Sequence, residues 1–430
     1  MSENVGEFDV TDFVDAVKAK RAENINTYKT TTNRFIADYN SEKAIKEDYK
    51  GRQLLELLQN ADDAKASRVS IEKNTENRTI KICNTGEAFS VAGFGALMLA
   101  YCGTKSAGKK DFIGNKGLGF RSILNWADSV DVKSNGCWVH FSRETAYNVA
   151  KQELVDCWNL IQQQIDSKGL VQDKIAPILS LPEIKSCSQN PEGWVTEITI
   201  RYDSRPETEE DISNQINFIT SKTLLFVRNI RSLEIAGFDQ NRSFCSSVQH
   251  KDAYDEINIV EKTIDGEQTH KYRLFKNEGI VPVYIQKKEQ GADLTRDPMY
   301  YEVCLAIDGE IGNKEYLYSY FKTNIEIGLP CIIHAAFRLD SSRKYLIEDS
   351  VINEFLIDKV LEEFEIVAKY LCKTEDKSWH AYTLTLLEQK PESSKEYLNQ
   401  LYDGLEKLRN SGSSSTCVGG FATLFLLTFA

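Results

Sequence analysis

The segment that most constrains this chain is Arg52–Ala64, which reads Arg-Gln-Leu-Leu-Glu-Leu-Leu-Gln-Asn-Ala-Asp-Asp-Ala. Leu54, Leu57, Leu58 and Ala61 recur at i, i+3, i+4 and i+7, the spacing of an amphipathic helix that lays an apolar stripe on a sheet. Glu56, Asn60 and Asp63 fall at i, i+4 and i+7, so a carboxylate, a carboxamide and a second carboxylate stack along the neighbouring face. Such a face suits a cation and an ordered water; it equally suits plain solvation. Arg52 stands four residues before Glu56, and a pair there would hold the carboxylate ionised.

Downstream, Ile113-Gly114-Asn115-Lys116-Gly117-Leu118-Gly119-Phe120-Arg121 sets three glycines in a G-x-x-G-x-G spacing that runs into an apolar helical pattern. Glycine lets backbone N–H groups approach an anion, and a helix start adds the positive end of its dipole, so the stretch reads as a phosphate cradle. A purely structural glycine-rich turn fits the same letters. Before it, Gly103-Thr104-Lys105-Ser106-Ala107-Gly108-Lys109-Lys110 has the small, cationic composition of a lid, with Thr104 and Lys105 able to touch a terminal phosphate or simply to face water. It lacks the spacing of a Walker A loop. No H-R-D motif follows, which argues against a protein kinase, and no G-x-S-x-G occurs, which argues against a hydrolytic triad. His140, His250, His270, His334 and His380 are isolated from one another, with no H-E-x-x-H and no Cys/His cluster, a pattern against protein-ligated zinc.

The Glu/Asn helix followed some fifty residues later by the glycine cradle resembles the GHKL superfamily of gyrase, the ninety-kilodalton heat-shock chaperone, histidine kinases and MutL. The phrase Glu56-Leu-Leu-Gln-Asn-Ala-Asp-Asp-Ala64 looks most like the sacsin-type branch. The resemblance covers roughly residues 34–350. It implies an α+β chain: a two-layer α/β sandwich of the GHKL (Bergerat) type, then an α+β transducer-like domain and a helical C-terminal region. It implies ATP and Mg²⁺ as ligands, with Glu56 as general base, Asn60 holding the metal, and Asp63, Asn84 and Gly86 on the nucleotide. Thr104 and Lys105 would belong to the lid, and Gly114, Gly117, Gly119 and Phe120 would supply backbone donors. Where the superfamily usually places an Asp and a glycine for the adenine amino group, this chain has Asn84-Thr85-Gly86, with Glu87-Ala88 where a second glycine often stands. Sacsin-type members resemble it in beginning this motif with Asn.

With 430 residues, two or three domains are expected. Residues 1–50 read as a leader of two or three amphipathic helices, either packed on its own domain or, as in similar ATPases, crossing to a second protomer. Residues 51–222 read as the ATP-binding domain. In it Arg68–Lys73 and Arg78–Cys83 alternate around Asn74–Asn77 as a hairpin that delivers Asn84. Val91–Cys102 is expected to be helical, Ser129–Val132 and Cys137–Phe141 to be strands, and 144–192 a polar, helical insertion. Gly193–Arg201 alternates cleanly and is expected to close that domain's sheet.

A helix at Ile212–Thr220 and the apolar run Leu224–Ile235 lead into residues 223–352, the transducer-like domain, with hairpin signals at Ile264-Asp-Gly-Glu267 and Ile307-Asp-Gly-Glu310. Its Gly328–Lys344 segment reads as a buried strand emptying into a polar loop tipped by Arg343 and Lys344. The resemblance implies that one of these cations, Arg343 in the first place, reaches the nucleotide; a charged turn is the plainer reading. Residues 353–410 read as amphipathic helices broken near Lys390-Pro391. Residues 411–430 are a Ser-rich linker and fourteen mostly apolar residues, short of the ~20 a membrane helix needs.

A net charge of −12 argues against a general nucleic-acid surface. The ten cysteines form no C-x-x-C pair, which favours reduced thiols in a cytoplasmic protein, and the N-terminus has no signal-peptide pattern. The resemblance therefore implies a heat-shock-chaperone-like ATPase that turns over Mg-ATP slowly to drive lid closure and domain movement for a protein client, with a homodimer through the leader or the C-terminal helices. An ATP-gated subunit of a defence or nucleic-acid-processing assembly, and a non-hydrolysing nucleotide-binding scaffold, are the alternatives.

Overall fold

In the computed structural model of the chain the described residues are 10–48, 51–99, 119–170, 173–190, 193–290, 298–310, 314–340, 343–374, 377–387 and 392–411. The leader forms α1 (Val10–Thr30) and α2 (Asn33–Asp48). Both pack on their own chain: Asn24 Nδ2 donates to the Met98 and Ser180 carbonyls, and the buried Glu42 carboxylate accepts the Ile178 and Leu179 N–H groups at 2.7 and 2.9 Å. Burial raises the Glu42 pKa to about 7 against those two hydrogen bonds, which pull it down.

The leucine-striped segment is helix α3 (Gln53–Asp63). The alternating segments after it pair as an antiparallel hairpin, β1 (Arg68–Asn74) with β2 (Thr79–Asn84), as their sequence predicts. Next come α4 (Val91–Met98), a 3-10 turn (Gly119–Asn125), β3 (Ala127–Ser134) and β4 (Cys137–Ser142). The polar insertion is helical at α5 (Arg143–Glu153) and α6 (Trp158–Ser167), but it also carries a strand, β5 (Glu183–Ser186), that pairs with β4. Strand β6 (Thr196–Tyr202) does not close the sheet. It lies between β2 and β3, antiparallel to both, and β5 takes the edge. Helix α7 (Pro206–Phe218) then leads through another 3-10 turn (Ser221–Leu224) to β7 (Ser232–Ala236), which pairs parallel with β1.

Along β1, β2, β3 and β6 one set of alternating residues (Ile71, Ile82, Val132, Ile200 among them) is buried in one cluster with Leu54 and Leu57 of α3, Phe13 of α1 and Ile212 of α7. The other set is polar and forms cross-strand pairs, Lys81 with Glu72 and Lys133 with Glu197, each at 2.9 Å. This half of the chain is therefore helices over one face of a sheet whose other face meets water.

The sheet continues without interruption into the second half. Strands β8 (Arg242–His250), β9 (Asp255–Thr263) and β10 (Gly266–Ile280) form a meander beyond β7; α8 (Val283–Gln290) follows, and β11 (Tyr300–Ile307) pairs with β10. Ile264-Asp265 closes the β9–β10 hairpin as expected. The second hairpin signal, at Ile307–Glu310, joins no adjacent pair: β12 (Tyr316–Ser319) lies between β13 (Phe321–Glu326) and β14 (Ile332–Ala335), parallel to β14, and β14 separates it from β11. The fourteen described strands thus form one mixed sheet ordered β13-β12-β14-β11-β10-β9-β8-β7-β1-β2-β6-β3-β4-β5. Helices α9 (Val351–Cys372), α10 (Lys377–Leu386) and α11 (Glu396–Ser411) cover its far end around a second core that includes Phe275, Ile333, Phe364 and Leu401. Helix α10 ends at Leu386 and α11 begins at Glu396, while Lys390-Pro391, where a break is expected, lies outside the described residues; α9 ends at Cys372, before α10. No helix among the described residues is long and apolar enough to cross a membrane.

Candidate functional site

Helix α3 is held at its start by carboxamides: Gln53 Oε1 accepts from the Gly51 and Arg52 N–H groups, and Gln215 Oε1 of α7 accepts from the Leu54 N–H at 3.1 Å. These bonds satisfy donors that a helix start leaves without intrahelical partners. Its other end is held by Asp62, which sequence reasoning missed in favour of its neighbour Asp63. The Asp62 carboxylate accepts three backbone N–H groups, of Arg228, Asn229 and Ile230, at 2.8–3.0 Å. The helix is thereby fastened to the chain just before β7, where the two halves meet.

Glu56 is buried although it lies beside the apolar stripe, and the reason is Arg343. The Arg343 Nη1 stands 2.5 Å from Glu56 Oε1 and donates to Gln59 Oε1 at 2.9 Å. Arg343 comes from the loop after β14, and its backbone is held at φ +55°, a left-handed conformation that costs a non-glycine residue ~1–2 kcal/mol. The bends at its own N–H, donated to the Asp340 carbonyl, and at the Lys344 N–H, donated to Asp340 Oδ1, fix that turn. The Arg52 guanidinium donates to the Arg343 carbonyl at 2.6 Å, so Arg52 holds the loop that holds Glu56, and the expected Arg52–Glu56 pairing remains as a charge interaction. Burial lowers the Arg52 pKa to about 10, opposed by the Glu56 charge. Lys344, the other candidate at the tip, turns toward Gly51 instead.

Asn84 ends β2 and is buried, and its Nδ2 donates to the Thr85 carbonyl at 2.6 Å. The carboxamide oxygen is then the atom left to accept from elsewhere, so this side chain presents the acceptor that a carboxylate would. Gly86, at φ +97°, brings the turn against the end of α3: a Cβ there would lie 2.3 Å from the Ala64 carbonyl oxygen, and the Glu87 N–H donates to that same oxygen at 2.6 Å. Only glycine allows this approach. The Asn84–Gly86 turn therefore abuts the α3 terminus one turn from Asn60, which is half-buried, and beside the buried Asp63.

Of the glycine cradle, Gly119 opens the 3-10 turn and Phe120 is buried edge-on to Phe141 with ring centroids 6.0 Å apart, so its side chain is core and only its backbone is available for a ligand. Thr104, Lys105, Gly114 and Gly117 lie outside the described residues. The fold thus gathers Glu56, Asn60, Asp63, Asn84, Gly86 and Arg343 around one helix. The donor set fits a magnesium nucleotide in kind: a carboxamide oxygen is a hard ligand, and a buried carboxylate already neutralised by one arginine sits beside it.

Comparison with known proteins adds no identification: no protein-family model matches the chain, and no curated protein matches it in sequence.

Proposed function

We propose that this chain is an ATP-binding module of the GHKL type, similar to the sacsin branch, that binds Mg-ATP and hydrolyses it slowly, coupling turnover to movement between its halves in chaperone-type protein remodelling. The observation that carries the reading is the Glu56–Arg343 contact. A cation from the second half rests on the carboxylate that the helix motif nominates as base, across an ion pair that a more highly charged anion would compete for.

Asn60 would hold Mg²⁺, whose charge when bound supports the phosphates. The Asn84 carboxamide oxygen, left to accept by the Nδ2–Thr85 bond, would take the adenine amino group. Gly114, Gly117, Gly119 and Phe120 would offer backbone N–H groups to the phosphates, and Thr104 and Lys105 would belong to the lid. Glu56 positions the attacking water and takes its proton on a carboxylate oxygen. For that, Arg343 must leave Glu56 for the terminal phosphate, where a cation stabilises charge that develops in the transition state. Releasing the carboxylate and drawing the β14 loop inward are then one movement, which is how occupancy of the site would be felt by the second half.

Calorimetric titration of Mg-ATP into the purified chain tests the reading. Saturable binding that needs Mg²⁺ and falls by roughly tenfold or more in Asn60→Ala is expected, since the substitution removes a metal ligand. No binding, or identical binding in Asn60→Ala, overturns it.

A further inference from the structure

Glu302, Cys304 and His334 are thirty-two residues apart at their extremes in the sequence, and strand pairing brings them together. Cys304 of β11 lies directly opposite His334 of β14 in the antiparallel register. Glu302 is two residues before Cys304, and side chains two apart on a strand share a face. The three ligand-type atoms all lie within 4.8 Å of one another, with His334 Nε2 at 3.9 Å from Glu302 Oε1. The isolation of the histidines along the sequence is undone by the register of two strands.

His334 is completely buried, and its ring is fixed on both sides, stacked on Phe226 with centroids 4.5 Å apart and tilted against Tyr320 at 4.8 Å. Its Nδ1 accepts from the Tyr320 N–H at 3.1 Å, so the neutral ring carries its proton on Nε2. That Nε2 has no hydrogen-bond partner. A buried polar atom left without one costs ~1–3 kcal/mol, and the atom is aimed at a thiol and a carboxylate. Glu302 and Cys304 also line a cavity of about 380 Å³, whose wall includes Arg228 and Lys276.

We propose that Glu302, Cys304 and His334 form a binding site for a borderline-soft divalent ion of the zinc class, with the fourth position open to the cavity. Thiolate, imidazole and carboxylate together are the ligand set of such an ion, and its bond lengths place ligand atoms roughly 3.3–3.7 Å apart in a tetrahedron, so the 3.9 Å between His334 Nε2 and Glu302 Oε1 needs only a small closure on binding. The atoms balance simply. The thiol loses its proton to solvent as sulfur coordinates, and the imidazole proton moves from Nε2 to Nδ1, which ends the hydrogen bond that Nδ1 accepts from the Tyr320 N–H and requires that N–H to turn aside. One proton is released per ion. Arg228 and Lys276 offset the charge of the two anionic ligands and favour an anion or hydroxide at the open position.

The test uses the full chain, stripped with a chelator and titrated with Co²⁺ and then Zn²⁺, reading bound metal by mass spectrometry and the thiolate-to-cobalt charge-transfer band. The expected result is one ion per chain, a charge-transfer band that Zn²⁺ abolishes, and loss of both in Cys304→Ser. Glu302→Gln should weaken binding by more than the roughly 10- to 100-fold that losing a hydrogen-bond partner behind a ligand costs. Cys245→Ser, which alters an exposed thiol far along the sheet, should change nothing. Less than one ion per chain, or a band unchanged in Cys304→Ser, overturns the proposal. Circular dichroism of each variant separates loss of the site from loss of the fold, and Glu302→Gln, at a half-buried position, carries the test if Cys304→Ser unfolds.

Discussion

Removing the Arg343 guanidinium isolates what the Glu56 contact does for this fold. Arg343→Met keeps a long apolar stem and deletes the charge. Breaking a buried ion pair from one side costs about 3–5 kcal/mol, because the surviving ion stays buried without its partner. Here the Glu56 side chain is 6% exposed and that of Arg343 18%, and Arg52 supplies some compensating charge nearby, so the expected loss is nearer 2–3 kcal/mol. Glu56→Gln leaves a neutral acceptor opposite the cation and should cost about 1–2 kcal/mol. In the double variant neither charge is stranded, so the two losses should fall short of additivity by about 1–2 kcal/mol. Urea unfolding of the four proteins, followed by circular dichroism, measures that coupling. Losses that add to within about 0.5 kcal/mol would mean that the two side chains do not interact energetically.

Asn84→Asp sets an oxygen where Nδ2 now meets the Thr85 carbonyl at 2.6 Å, so it should lower stability by about 1–3 kcal/mol and weaken nucleotide binding. A variant that melts with the parent and binds ATP more tightly in competition with GTP would show the amide to be incidental. Glu42 tests the leader. Its folded pKa of about 7 lies above its ordinary value of 4.5, so the folded state holds the extra proton between those values; the contribution is complete below pH ~4.5 and is lost as pH rises through ~7. The unfolding free energy of the parent should therefore fall between pH ~4.5 and ~7, by at most about 1.4 kcal/mol per pH unit, and level off above that, and Glu42→Gln should be less stable overall but flatter across that window; an unchanged slope would place the titration elsewhere.

Much of this arrangement is legible in the letters because it is local. The leucine spacing of α3, the alternation of β1 and β2, and the Gly86 that lets Asn84 approach the helix end depend on residues within a few positions of one another. Pairing between distant strands is not encoded that way. Alternation identifies β6 as a strand but cannot say that it enters between β2 and β3, and the Asp-Gly after β11 looks like a hairpin although β12 goes to the far side of β14. The same blindness hid the Cys304–His334 pair, which exists only through register. Asp62 was passed over for a different reason: its partners are backbone N–H groups, which leave no mark in the sequence. Arg343 was legible as a cation at a loop tip, whereas its partner, the carboxylate of α3, was supplied by the fold.

The central claim is that Glu56 is the base of an ATPase, and the most direct test is Mg-ATP turnover by the purified chain beside Glu56→Ala, with affinity measured on the same samples. The account predicts slow hydrolysis by the parent, and near-parental binding with turnover lower by roughly 10²-fold or more in Glu56→Ala. Equal turnover in the two proteins, or a parent that binds no Mg-ATP, would contradict it.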